Sequence, residues 1–154
     1  MTKLIDVPMN RDTLALALDK LTDLCGTRAE DNGWNNDFPQ REDFADTERG
    51  EVAYQNAVRN WDAVKVSLFA GEAFEAFEEL RNGHAPGERY YSVGAAEVIK
   101  NIPGKPEGVP SEIVDILVRV FHYAHFRGIP LGEAFFEKLD YNDSRGIRHG
   151  GKGF

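Results

Sequence analysis

The segment from Ser111 to about Arg127 constrains the fold most, because apolar residues cover nearly the whole circumference of the helix it would form. At about 100° per residue, the apolar side chains are spread around the axis. They are Ile113, Val114, Ile116, Leu117, Val118, Val120, Phe121 and Ala124. A helix that is apolar on all sides is normally buried. We therefore predict a buried helix over this segment.

One polar strip interrupts this apolar surface. It consists of Glu112, Asp115, Arg119 and His122, which are spaced three or four residues apart and therefore share one face. A buried helix with a single polar strip indicates an internal polar site, since unpaired buried charges are costly. Ser111 is a favourable N-cap for this helix, and acidic residues in the first turn suit the positive end of the helix dipole.

Helical periodicity extends over most of the chain, so we predict an all-α fold. The other predicted helices cover Asp12 to Leu24 (ended by Gly26), Glu51 to Arg81 (ended by Asn82-Gly83) and about Gly132 to Ser144. Between and after them come an irregular segment at about 27–50 that could include a short helix, a proline- and glycine-rich loop at about 83–110 with at most short structure, and a glycine-rich tail at 146–154. No strand and no repeat is evident. The prediction is one domain over 1–154, a bundle of about four to five helices.

Composition excludes several classes of protein. Among 154 residues, 26 are acidic and 18 are basic, and the net charge of −8 argues against a general nucleic-acid-binding protein. The single cysteine, Cys25, excludes an internal disulfide and multi-cysteine metal sites. No apolar run approaches the length of a membrane span, and the N-terminus lacks a signal-peptide pattern. We expect a cytoplasmic protein without a membrane partner.

A second set of carboxylates lies on a partly apolar arc of the helix over 51–81. This arc contains Glu72, Glu75 and Glu79 together with Trp61, Lys65 and Leu68. Glu78 lies away from the arc. The pairs Glu72-x-x-Glu75 and Glu112-x-x-Asp115 thus predict four carboxylates between two helices, although either pair alone is common on solvated helices. Oxygen ligands without clustered His or Cys favour Mg²⁺ or Mn²⁺.

Candidate ligand-binding residues accompany these carboxylates. Three polar side chains of the last helix share one face: Lys138, Asn142 and Arg145. Together with Arg119 they could bind phosphate oxygens, although by themselves they are also compatible with a solvated basic face. Trp34 and Trp61 are candidates to stack on a base, and both are also compatible with packing roles.

In this order, the residues resemble the MazG-like family of all-α nucleoside triphosphate pyrophosphohydrolases, whose motif is ExxE followed, after a loop, by ExxD on a facing helix. The similarity runs from Trp61 to Lys152, with a weaker match at Gly33-Trp34. The matching pieces are Glu72-Ala73-Phe74-Glu75, Leu80-Arg81-Asn82-Gly83, Lys105-Pro106-Glu107-Gly108-Val109, Glu112-Ile113-Val114-Asp115, and Lys138, Tyr141-Asn142, Arg145 and Arg148-His149-Gly150-Gly151-Lys152. The later pieces are similar to bacterial and phage members.

The resemblance implies hydrolysis of a nucleoside triphosphate, NTP or dNTP, to the monophosphate and pyrophosphate in nucleotide-pool control. It implies Mg²⁺ as cofactor, with Mn²⁺ as a substitute. The implied metal ligands are Glu72, Glu75, Glu112 and Asp115. One of these carboxylates would also help to activate the attacking water. The expected substrate-binding residues are Lys138, Asn142, Arg145, Arg119, Lys65 and Trp61. A homodimer or a dimer of dimers is also implied, with apolar helix faces covered across a two-fold interface.

Two features depart from the family pattern. The 36 residues between Glu75 and Glu112 form a longer gap than is usual, so the 83–110 loop is an insertion expected to shape the nucleoside pocket. Many relatives have Asp where this chain has His122, so any role of that Asp at the metal or at a dimer contact is served differently here or not at all.

Other readings of the sequence are less favoured. Gly146 to Lys152 has P-loop spacing, but no strand precedes it and Gly153 replaces the hydroxyl residue. No His has Glu three residues before it, which excludes a di-iron bundle motif. His122-x-x-His125 could bind zinc, but such a pair is more often structural. Two alternatives stay open: a nucleotide-sensing or scaffolding homologue without turnover, and a purely structural helical protein.

Overall fold

The computed structural model describes residues 10–145, apart from the side chains of residues 96 and 97, so the predicted tail at 146–154 lies outside it. Within this range there are five α-helices: α1 (Arg11–Asp31), α2 (Glu48–Arg81), α3 (Ala95–Lys100), α4 (Val109–Arg127) and α5 (Leu131–Ser144). A 3₁₀ turn covers Arg41–Asp43, and two strands cover β1 (Tyr90–Ser92) and β2 (Lys105–Glu107). The predicted all-α class is confirmed. None of the described helices combines the length and apolarity needed to cross a membrane.

Helix α4 is central, because it packs on α2 and also on α1, while α5 packs on α1. Buried apolar side chains at these contacts include Val58 on α2, Ala29 on α1 and Phe121 on α4. The connection between α1 and α2 inserts Phe38 against Trp61 and Phe126, with ring centroids 5.1 and 5.0 Å away. This aromatic group fixes the connection beside the α2–α4 contact.

Three predicted helix boundaries were wrong: the end of α1 and the starts of α2 and α4. Helix α1 continues through Gly26 to Asp31 because this glycine serves close packing: a Cβ there would lie 2.0 Å from the His125 side chain. Helix α4 is capped by Gly108 (φ 99°) rather than by Ser111, and it begins at Val109. The segment at 27–50 therefore contains the last turn of α1 and the first residues of α2.

The 83–110 segment contains an antiparallel β-hairpin, so the expectation of no strand was wrong. Tyr90 pairs with Glu107 and Ser92 pairs with Lys105. Three-residue strands are too short to show an alternating pattern in the sequence. The Tyr90 hydroxyl donates a hydrogen bond to Glu79 (3.0 Å), which attaches the hairpin to the last turns of α2.

The expectation that α4 is buried on all sides was also wrong. Its C-terminal half is covered, whereas Ile113, Val114 and Leu117 in the N-terminal half are about half exposed. On α2, Phe74 and Phe77 are exposed as well, Phe74 to 69%. A single chain therefore leaves apolar surface on the two helices that supply the carboxylates.

Candidate metal centre

Helices α2 and α4 bring the two acidic motifs together. Glu72 and Glu112 are 5% and 3% exposed, Asp115 is half-buried and Glu75 is exposed. One carboxylate oxygen from each of Glu72, Glu75 and Glu112 lies within 4.8 Å of the others. Asp115 lies outside this trio, one helical turn after Glu112. The structure thus brings together three of the four predicted ligands.

Burial and like charge raise the proton affinity of these carboxyls. Burial, and next the charge of Glu75, raises the pKa of Glu112 to about 7, and Lys105 partly opposes the shift. Burial and then the charge of Glu72 raise the pKa of Asp115, partly offset by Lys105 and Arg119. The nearby cations, Lys105 and Arg119, therefore do not fully neutralise this group of carboxylates.

The trio fits a hard divalent cation. The Oε2 atom of Glu112 is buried and has no hydrogen-bond partner among the described residues. Leaving such an atom without a partner costs about 1–3 kcal/mol, and more when it is charged. A cation bound by the three carboxylates would satisfy this oxygen and relieve their repulsion, and oxygen ligands are those that hard divalent cations prefer.

Arg119 is the cation that meets the buried Glu72. Its Nε atom donates to Oε1 of Glu72 across the α2–α4 contact. The predicted polar strip of α4 is confirmed as inward-facing, since Glu112 and His122 are buried and Asp115 and Arg119 are half-buried. Arg119 therefore joins the carboxylate of Glu72 on α2 to the polar strip of α4.

A cavity of about 160 Å³ lies beside Arg119, and we call it the Trp34 cavity. It is lined by Trp34, Lys65, Leu68, Arg119, His122 and Tyr123. The Nζ atom of Lys65 donates to the carbonyl oxygen of Trp34 (2.8 Å) and to Asp37 (3.1 Å). The predicted substrate-binding residues Lys65 and Arg119 thus line one cavity with an accessible indole.

His122 is held on the wall of the Trp34 cavity. Its Nε2 atom lies 2.7 Å from Oδ1 of Asn35, and its ring meets that of Trp34 edge-on at 5.7 Å. Burial, and then the charges of Lys65 and Arg119, lower the pKa of His122, which favours the neutral ring. Sequence reasoning missed Asn35 and Asp37, because residues of an irregular connection follow no periodicity.

Trp61 is in the core rather than at the accessible site. It is 7% exposed, packs against Phe38 and Phe126, and donates its Nε1 hydrogen to Asp37 (3.0 Å). Trp34, at 44% exposed, is the indole that remains available for stacking. The expected role of Trp61 in binding a base therefore requires correction: its contacts position Asp37 and, through it, Lys65.

Lys138, Asn142 and Arg145 are not brought to the carboxylates within one chain. Lys138 on α5 and Arg145 at its C-cap lie over the ring of Tyr141 at 5.1 and 5.5 Å, and α5 packs on α1. Among the described residues, no hydrogen bond or ion pair joins Lys138, Asn142 or Arg145 to the acidic trio. Their predicted contact with phosphate stays a prediction.

The two histidines of α4 do not form a metal pair. His125 faces Asp23 on α1 at 3.4 Å, whereas His122 faces Asn35. Within the described part of the chain, neither belongs to a group of three side chains that could hold an ion. The geometry therefore favours the carboxylate trio over a zinc site.

Comparisons with protein-family models, with curated proteins and with solved structures find no significant match. Because no similar protein is found, only the fold and the site indicate the class of this protein. It is an all-α protein with a partly buried group of three carboxylates between two helices, next to a cavity with cationic and aromatic walls.

The raised pKa of Glu112 predicts that Mg²⁺ stabilises the protein more at about pH 8 than at about pH 6. Below its folded pKa, Glu112 must lose a proton before it can bind a cation. In the metal-free protein, protonation of Glu112 stabilises the folded state. This stabilisation is fully present below the usual pKa of a glutamate and is lost as the pH rises through about 7. Melting temperatures with and without Mg²⁺ test this, and an equal shift at both pH values would contradict it.

Proposed function

We propose that this protein is a MazG-like nucleoside triphosphate pyrophosphohydrolase that requires Mg²⁺. The observation that supports this most is the buried oxygen of Glu112, which has no partner in the described part of the chain and lies within a trio of carboxylates from facing ExxE and ExxD helices. A purely structural protein would gain nothing from burying Glu112 with one carboxylate oxygen unsatisfied, since the desolvation cost is large. A bound cation would account for the arrangement of these carboxylates.

Each part of the site has a role in this proposal. Glu72, Glu75 and Glu112 would hold the metal, which would supply polarisation of phosphoryl oxygens and stabilisation of the charge on the leaving pyrophosphate. Asp115 lies beside the trio with a raised pKa, which suits it to accept a proton from the attacking water. Arg119 orients Glu72 through their ion pair and presents positive charge to the Trp34 cavity.

The Trp34 cavity suits a nucleotide because it combines charge and an aromatic surface. Lys65 and Arg119 can offset phosphate charge, and Trp34 offers a partly exposed π-face for a base. The neutral His122 and the amide of Asn35 add hydrogen-bonding groups on the same wall. These groups support a nucleotide over a simple inorganic anion as the substrate.

A panel of the common NTPs and dNTPs with Mg²⁺ tests the proposal. We expect release of a nucleoside monophosphate and pyrophosphate from at least one of them. Orthophosphate as the sole inorganic product would assign the protein to another class of hydrolase. Binding of a nucleotide without turnover of any would instead favour the nucleotide-sensing or scaffolding alternative.

We also propose that the protein is a homodimer or a dimer of dimers. Contiguous exposed apolar surface is uncommon on monomers, and closed two-fold dimers are the most frequent way to cover it. Phe77 on α2 is 55% exposed and lies outside the acidic trio. Light scattering should give a dimer or tetramer for the parent and a smaller species for Phe77→Asp. A stable monomeric parent at micromolar concentration would contradict the proposal.

A further inference from the structure

A second and larger cavity, of about 430 Å³, lies between the β-hairpin and the first turns of α4, and we call it the hairpin cavity. Its walls include Arg89, Tyr91, Lys105, Ser111 and Asp115. Asp115 belongs to the acidic motif of α4, so this cavity adjoins the metal centre. The Trp34 cavity adjoins the same polar strip further along α4, at Arg119 and His122.

Two cations, one on a strand of the hairpin and one next to the other strand, line this cavity. Lys105, on β2, donates to Glu107 at 2.9 Å, and its charge also acts on Glu112 and Asp115. Arg89 lies immediately before β1, is exposed, and makes no hydrogen bond or ion pair with another described side chain. An unengaged guanidinium can bind an anionic oxygen pair in a bidentate way.

Hydrogen bonds within and beside the hairpin fix the backbone that carries these cations. The hydroxyl of Tyr90, next to Arg89, is bonded to Glu79 on α2, and Ser92 donates to Glu107 across the strand pair at 2.7 Å. The cavity also meets the start of α4, since Pro110 and Ser111 contribute to its wall. The positive end of the helix dipole adds to the potential that favours an anion there.

We propose that the hairpin cavity binds the pyrophosphate portion of the substrate, with Arg89 and Lys105 as its protein ligands. The identity of the ligand rests on the proposed function, because it is taken to be part of the same nucleotide. Two separate cations require a ligand with more than one anionic group. The nearby carboxylate of Asp115 would repel such an anionic ligand. A cation bound at the metal centre would offset this repulsion, so we expect the ligand to bind together with the metal.

Calorimetric titration of the full chain with inorganic pyrophosphate, in the presence of Mg²⁺, tests the proposal. We expect Arg89→Gln to bind pyrophosphate about tenfold more weakly than the parent or worse, because it loses charge-assisted hydrogen bonds. The matched control is Arg81→Gln, since Arg81 pairs only with Glu78 on the exposed surface among the described residues and does not line the cavity. The control should bind pyrophosphate as the parent does, and a nucleoside monophosphate should bind all three proteins equally.

Unchanged pyrophosphate binding by Arg89→Gln, at an unchanged melting temperature, would overturn the proposal. An equal loss of monophosphate binding would overturn it too, because the cavity would then hold the nucleoside end. The titration needs no turnover, so it is independent of the NTP panel. A parent that hydrolyses no NTP but binds pyrophosphate through Arg89 would refute the proposed function and leave the anion site standing.

Discussion

If the protein has the proposed activity, Glu75→Gln should reduce hydrolysis by roughly a hundredfold or more, because the variant replaces a carboxylate of the proposed metal centre by a neutral amide. Metal stabilisation of a phosphoryl transition state amounts to several kcal/mol, and each 1.36 kcal/mol corresponds to about tenfold in rate. The loss should not come from unfolding. Glu75 is exposed and makes no hydrogen bond with another described residue, and its charge adds to the proton affinity of Glu112. The metal-free variant should therefore be as stable as the parent or slightly more so.

Glu78→Gln is the matched control for this variant. Glu78 lies three residues later on the same helix, outside the acidic trio, and pairs with Arg81 at 2.9 Å on the surface. Losing an exposed pair of this kind costs about 0.2–0.5 kcal/mol and should not affect turnover. Steady-state rates and melting curves of both variants provide the test. An inactive Glu78→Gln beside an active Glu75→Gln would contradict the assignment, and the site would have to be rebuilt around Glu75-x-x-Glu78.

Removing divalent metal should abolish hydrolysis completely. EDTA would leave Glu72, Glu75 and Glu112 facing a triphosphate of the same sign, so binding and catalysis should fail together. Added Mg²⁺ or Mn²⁺ should restore the rate. Ca²⁺ should restore it poorly, because it prefers more ligands at longer distances than this compact trio offers. Full activity in EDTA would rule out the metal centre.

The same centre predicts a stability effect that does not depend on substrate. Mg²⁺ should raise the melting temperature of the parent, because a ligand stabilises only the state that binds it. The rise should be smaller for Glu75→Gln and unchanged for Glu78→Gln. Equal rises in all three proteins would show that Mg²⁺ acts elsewhere on the acidic surface.

Much of the site was predictable because helical periodicity is a local property. The strip of Glu112, Asp115, Arg119 and His122 follows from spacing alone, and the structure places it inward. The facing arc with Glu72 and Glu75 follows in the same way. The error at the end of α1 arose because a residue with a strong local preference serves packing instead: Gly26 permits the approach of His125 and does not end the helix.

The sequence by itself determined that this chain is helical, that its most apolar helix has one polar strip, and that two carboxylate pairs suit a hard cation. Only the tertiary structure decided that Arg119 meets Glu72, that Trp61 is buried while Trp34 is accessible, and that a hairpin places Arg89 and Lys105 near Asp115. The physical reason is the range of the interactions. Helix formation and facial spacing depend on neighbours within about four residues, whereas these contacts join distant segments whose meeting depends on packing of the whole chain.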